Sequence, residues 1–195
     1  MSFKAATLVA LAIFSLSSSV QAELQTWRLT ATSYKIENGF TPPPFAEGGK
    51  TFQIDYVVDT LKPSQTNWDG LFSGAVQSFT VNGITNQAGG YISADGGFNA
   101  INVWPSSVRL DGIDFISFNN FSGIDAPDVT SALNRFSQSA TTSATDLRVD
   151  FGDLSVWAKP SSFVMLPVPE PTPTLLLLVG LPLVLFRKFG FSKKA

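Results

Sequence analysis

Few residues in this chain can do chemistry, and what is missing narrows the choice. There is no cysteine and no histidine among 195 residues. Without cysteine there are no disulfides, thiolate nucleophiles or thiolate-bound metals. Without histidine there is no Ser-His-Asp arrangement and no histidine-bound zinc. Carboxylates and tryptophans remain. Glycoside hydrolysis needs two carboxyl groups facing each other across a cleft. Asp55, Asp59, Asp69, Asp150 and Asp153 are available, but no spacing pairs any two of them, and solvating an outer sheet face is the commoner use of such residues. Asp111, Asp114, Asp125 and Asp128 gather in one stretch of loops, without the acidic ladder of a calcium loop. Turn formation and helix capping are their expected roles, so neither a metal ligand set nor a cofactor is expected. Trp27, Trp68, Trp104 and Trp157 could stack on sugar rings. Trp27, Trp104 and Trp157 fall in strand-like stretches, where burial is the default. Trp68 lies in the polar segment Gln65-Thr66-Asn67-Trp68-Asp69-Gly70 and is the candidate glycan contact.

The elements that would position these groups read as strands. Thr51 to Val58 puts Phe52, Ile54, Tyr56 and Val58 on one face and Gln53, Asp55 and Val57 on the other. Thr26–Ile36, Ala75–Val81, Tyr91–Ser93, Phe98–Trp104, Ile113–Phe118, Asp146–Phe151 and Leu154–Ala158 carry similar signals. Asn82-Gly83, Ala94-Asp95-Gly96-Gly97 and Asp111-Gly112 read as hairpin turns, the last joining Ser107–Leu110 to Ile113–Phe118. Thr41-Pro42-Pro43-Pro44 reads as a polyproline-like loop. One short helix is expected over Asp128–Phe136, with Val129, Leu133 and Phe136 on one side. Strands about ten residues apart, with turns between them and no βαβ alternation, predict an all-β ectodomain. An antiparallel β-sandwich or jelly roll is the expected architecture.

Both ends read as addresses. Met1 to Ala22 has a positive Lys4, an apolar stretch from Ala5 to Leu16, and small residues up to a cleavage site after Ala22. At the other end, Val168-Pro169-Glu170-Pro171 is held extended by two prolines that donate no hydrogen bond. An uncharged run follows: Leu175, Leu176, Leu177, Leu178, Val179, Leu181, Leu183, Val184, Leu185 and Phe186, with Pro182 inside it. The basic end is Arg187, Lys188, Lys193 and Lys194, split by Phe189-Gly190-Phe191. Positive residues behind an apolar helix favour the cytoplasmic side. From Thr174 to Phe186 the apolar run is 13 residues, short of the roughly 20 that a spanning helix needs. The expected division is 1–22 signal peptide, 23–162 ectodomain, 163–173 Pro-rich stalk with the Pro-Glu-Pro grip, and 174–195 transmembrane helix with basic tail.

The order of these last parts resembles the PEP-CTERM sorting signal of bacterial surface proteins, in which Val-Pro-Glu-Pro precedes a short membrane helix and a basic terminus. The stretches Gly48-Gly49-Lys50-Thr51-Phe52 to Asp55-Tyr56 and Val76 to Gly83 also look, more loosely, like the ectodomains that such tails follow. The resemblance implies processing by a membrane protease-transpeptidase, exosortase, and association with exopolysaccharide and biofilm matrix. It further implies an exported chain that is held in the inner membrane until processed and then released to the cell surface or beyond.

Charge agrees with an exported, non-nucleic-acid role. Between Glu23 and Glu170 there are 8 Lys and Arg against 15 Asp and Glu, a net of −7, with no basic stripe to neutralise phosphates. A surface-sorted, non-enzymatic protein is the expected function. An envelope-tethered carbohydrate-binding module and a plain membrane-anchored protein are the alternatives. A carboxylate-pair enzyme is a more distant third.

Overall fold

The computed structural model describes residues 23–37, 41–65, 69–97, 99–106, 112–123 and 125–167. The strands are β1 (Leu24–Glu37), β2 (Thr51–Asp59), β3 (Leu71–Ser73), β4 (Val76–Val81), β5 (Ile84–Ala94), β6 (Asn99–Pro105), β7 (Phe115–Asn120), β8 (Thr145–Phe151) and β9 (Leu154–Met165). The helix is α1 (Val129–Ser139), and a single 3-10 turn covers Pro44–Ala46. Among the described residues no helix is long and apolar enough to cross a membrane.

The expected alternation is present. In β2 the buried positions are Phe52, Ile54, Tyr56 and Val58, as a half-buried strand requires. The architecture differs from expectation: the strands form one closed barrel, not two facing sheets. The ring runs β1-β2-β4-β5-β6-β7-β8-β9, and β9 pairs back onto β1, with Leu29 opposite Phe163. Every pairing is antiparallel. The short β3 shares one edge of β5 with β4, the two lying on either side of Gly74-Ala75. A sandwich and a barrel bury the same face of each strand. Alternation therefore reads identically in both, and only the pairing of the first strand with the last separates them. Register irregularities at Thr30/Ala31 and Ser33/Lys35 in β1, and at Val57/Val58 in β2, bend the wall.

Other expectations met the structure locally. Asn82 and Gly83 turn β4 into β5 with positive φ at both positions (50° and 83°), the hairpin geometry that such a pair favours. β6 and β7 pair directly; Ser107–Leu110, expected as the first arm of another hairpin, and Asp111 of its turn lie outside the described residues. β9 continues through Phe163 to Met165, residues the sequence pattern assigns to the stalk. Phe163 is fully buried, and Pro160 and the serines before it hide the alternation that would have extended the strand.

An eight-stranded barrel is just wide enough for its own side chains, and aromatics occupy this one. Phe163 stacks on Trp27 (5.1 Å) and meets Phe118 (5.4 Å) and Tyr56 (6.3 Å) edge-on. Both ends are closed. α1 connects β7 to β8 and touches β5 and β9, which stand on opposite walls. Its buried residues Val129, Ala132, Leu133 and Phe136 share one stripe, and Phe136 lies 5.3 Å from Phe118. Asp128 caps its start, accepting from the Ser131 amide at 2.7 Å. At the far end the 3-10 turn inserts Phe45 between Phe52 and Phe151, 6.0 Å from each. Its start at Pro44 replaces the last part of the expected polyproline loop.

The Tyr56 hydroxyl is buried in this apolar interior and has no hydrogen-bond partner among the described residues. Burial pushes its phenol well above the ordinary tyrosine range. An unpaired buried hydroxyl costs roughly 1–3 kcal/mol, so Tyr56→Phe should raise unfolding free energy by about 1 kcal/mol in a urea titration. Asp128→Ala should lower it by about 1 kcal/mol through loss of the cap.

Candidate functional site

Packing consumes the inner face of the barrel, so any recognition chemistry must use the outer wall or the ends. On the outer wall Arg28 of β1 stands opposite Asp55 of β2. The guanidinium donates twice, Nε to Oδ1 and Nη2 to Oδ2, both at 2.7 Å. This fork matches the planes of the two groups. The hydrogen bond first, and the carboxylate charge second, raise the Arg28 pKa. The pair edges a groove of about 430 Å³ at the end remote from α1. Thr51, Gln53, Thr80 and Asn82 supply its polar lining, and Phe45 and Phe52 its aromatic part. Beyond Phe45 a shallower depression of about 590 Å³ is lined by Pro42, Pro43, Phe151, Asp153 and Leu154. The Phe45 plug thus separates two concavities on one end of the barrel.

A second feature is aromatic. Trp104, expected to be buried, is 40% exposed on the outer wall. Its indole lies against Gly89, its cross-strand partner, where any Cβ would collide with the ring. Tyr91 meets it edge-on at 6.4 Å. Asn102, opposite Tyr91 and on the same face as Trp104, is buried, and its Oδ1 accepts no hydrogen bond among the described residues. The readable signal was parity. Asn99, Ile101 and Val103 alternate with Ala100, Asn102 and Trp104, which sets Trp104 on the polar face. Trp27 is buried as expected, its Nε1 donating to Gln25 Oε1 at 3.1 Å. Trp157 is half-buried on the outer wall beneath the Arg148 guanidinium, 5.7 Å from the ring centre.

The carboxylates proposed for acid–base chemistry are dispersed. Asp55 faces Arg28, Asp150 faces Arg148 at 2.8 Å, and Asp59 lies 4.0 Å from Lys62 at the α1 end. Asp153 sits in the β8–β9 hairpin at the opposite end, and Asp69 precedes β3. Asp55 and Asp150 stand on walls separated by β1 and β9. The loop aspartates have structural partners: Asp114 accepts from the Gly152 amide, Asp125 bridges to Asp95, and Asp128 caps α1. Among the described residues no three acidic side chains converge on a metal-sized space. Asp111, Trp68, the cleavage site at Ala22, the sorting motif Val168–Pro171, the apolar run Leu175–Phe186 and the basic residues Arg187, Lys188, Lys193 and Lys194 lie outside the described residues.

Fold and surface together define a plugged, eight-stranded antiparallel barrel with a polar-aromatic groove on one end. No protein-family model, no curated protein and no solved structure matches the chain.

The Arg28–Asp55 pair is partly exposed, with side chains 36% and 22% accessible, so its worth is small despite the short distances. A double-mutant cycle with Arg28→Ala and Asp55→Ala should give a coupling of about 0.5–1 kcal/mol that shrinks as salt is raised from low to molar concentration.

Proposed function

We propose that this is an exported, surface-sorted, non-enzymatic protein whose C-terminal tail is recognised and removed by exosortase. One observation carries the reading: Val168-Pro169-Glu170-Pro171, an uncharged run and a basic end follow one another in that order. Each part has a physical task. The prolines keep the grip extended and accessible to a protease. The run from Leu175 to Phe186 holds the substrate in the inner membrane, and Arg187 and Lys188 hold its end on the cytoplasmic side. A run of 13 residues interrupted by Pro182 makes a temporary anchor rather than a permanent one. The last described residue, Pro167, immediately precedes the motif, and the Leu166 amide is bonded to the Thr26 carbonyl at 2.8 Å. A finished barrel thus sits directly before the grip, and cleavage there would release a folded domain to the cell surface or the extracellular matrix.

A second reading, an envelope-tethered carbohydrate-binding module, is favoured by the Tyr91–Trp104 surface and by the Arg28–Asp55 groove. A flat indole offers a face to sugar C–H groups, and the groove side chains Gln53 and Asn82 offer hydrogen bonds. An exopolysaccharide is the ligand this chemistry suits.

Two experiments separate the readings. In the native host, Glu170→Ala with Pro171→Ala should abolish tail removal, leaving molecules whose mass includes Lys194. Unchanged maturation would return the chain to the plain-anchor reading. Retention on an immobilised exopolysaccharide, lost on Trp104→Ala but kept on Trp27→Phe, would establish the binding module.

A further inference from the structure

Eight large apolar side chains are exposed among the described residues, and five of them lie at the α1 end: Leu24, Leu61, Phe121, Val164 and Met165, each between 46% and 68% accessible. Four cluster around the two places where the chain leaves the barrel. Leu24 begins β1 and Val164 and Met165 end β9, its neighbour. The carbonyl of Glu23 accepts from both the amide and the hydroxyl of Thr60, at 3.2 and 2.9 Å, which brings Leu61 beside Leu24. Phe121 stands further round the same mouth, its amide bonded to the Ala144 carbonyl at 2.7 Å. None of these five belongs to the barrel core. Apolar surface left together in water on one end calls for a partner.

We infer that this apolar rim rests on the bilayer surface while the tail is inserted. The inference rests on the reading of the tail given above and adds to it a second, reversible contact. Tether length argues for the bilayer. Seven peptide steps separate Pro167 from Thr174, the start of the apolar run, and seven extended residues reach at most about 25 Å. The point where the chain leaves the α1 end therefore stays within about 25 Å of the bilayer, close enough for this rim to reach the headgroups. Charge chooses the lipid. Glu23, Asp59, Asp69, Asp95, Asp125 and Asp128 outnumber Lys62 and Arg135 around this mouth, so an anionic surface repels it and a zwitterionic one does not. In the docked state the remote groove, at the opposite end, points outward from the membrane.

Because the chain has no cysteine, single spin labels report position cleanly. The full chain is inserted in phosphatidylcholine vesicles with a label at Leu61→Cys, at Ile84→Cys on the opposite end, or at Leu178→Cys in the tail. Collision with a water-soluble nickel chelate is then compared with collision with oxygen. The Leu178 label should sit in the hydrocarbon, and the Leu61 label should be several-fold less accessible to the chelate than the Ile84 label, although Leu61 is the more exposed of the two in the barrel itself (50% against 38%). Replacing part of the lipid by phosphatidylglycerol at low salt should restore access at Leu61. So should the surface variant Leu24→Ser, Val164→Ser, Met165→Ser. A Leu61 label as accessible as the Ile84 label, with the Leu178 label buried, overturns the inference alone and assigns the rim to a protein partner. A Leu178 label in water overturns the tail reading, and this inference with it.

Discussion

The pairing of β9 with β1 is the constraint on which the rest of the structure depends. It joins the two ends of the described chain, sets Phe163 opposite Leu29, and carries Phe163 into the middle of the aromatic cluster with Trp27, Tyr56 and Phe118. Without it the meander would be an open sheet with two bare edges, each a template for unwanted pairing. With it no edge of the ring is left. The aromatic cluster and the closure support each other, because the rings span the interior only when the first and last strands are neighbours.

Closure also decides where function can lie. Among the described residues the interior is packed with aromatic and aliphatic side chains, and α1 and Phe45 sit at the two mouths. What remains is a directed object. Both chain exits leave from the α1 mouth, the groove beside Arg28 and Asp55 sits at the other, and Trp104 faces out from the wall between them. The end from which both exits leave is apolar and acidic, and the end that bears the groove is polar-aromatic. The absence of cysteine fits the same design. A ring of strands with every edge paired gains by hydrogen bonding and burial what a smaller secreted domain needs disulfides to supply.

Local elements were readable where one physical signal dominated. The alternation in Thr51–Val58, the Asn82-Gly83 turn and the cap-plus-stripe of α1 each need only neighbours within a few residues. Reading stopped early in β9, where Pro160 and adjacent serines interrupt the pattern although pairing with β1 continues to Met165. It was also incomplete in β5, whose first half is polar and rich in glycine. That half is a strand because β4 pairs with Ile84–Gln87 and β6 takes over from Ala88. Trp104 was assigned inward by residue type. Strand parity turned it outward, and Gly89 opposite it leaves the outer wall a recess that the indole fills.

The sequence by itself determined the cysteine and histidine chemistry that is closed to this protein, the strand-and-turn character of its middle, and the order of Val168-Pro169-Glu170-Pro171, apolar run and basic end after it. These depend on residue type and on spacing along the chain. Only the tertiary structure decided between sandwich and barrel, brought Arg28 to Asp55, placed Phe45 and α1 as stoppers, and put both exits on one mouth. Those depend on which strand meets which across more than a hundred residues, as Leu29 meets Phe163. A two-residue alternation reports a buried face and carries no information about the strand beyond it.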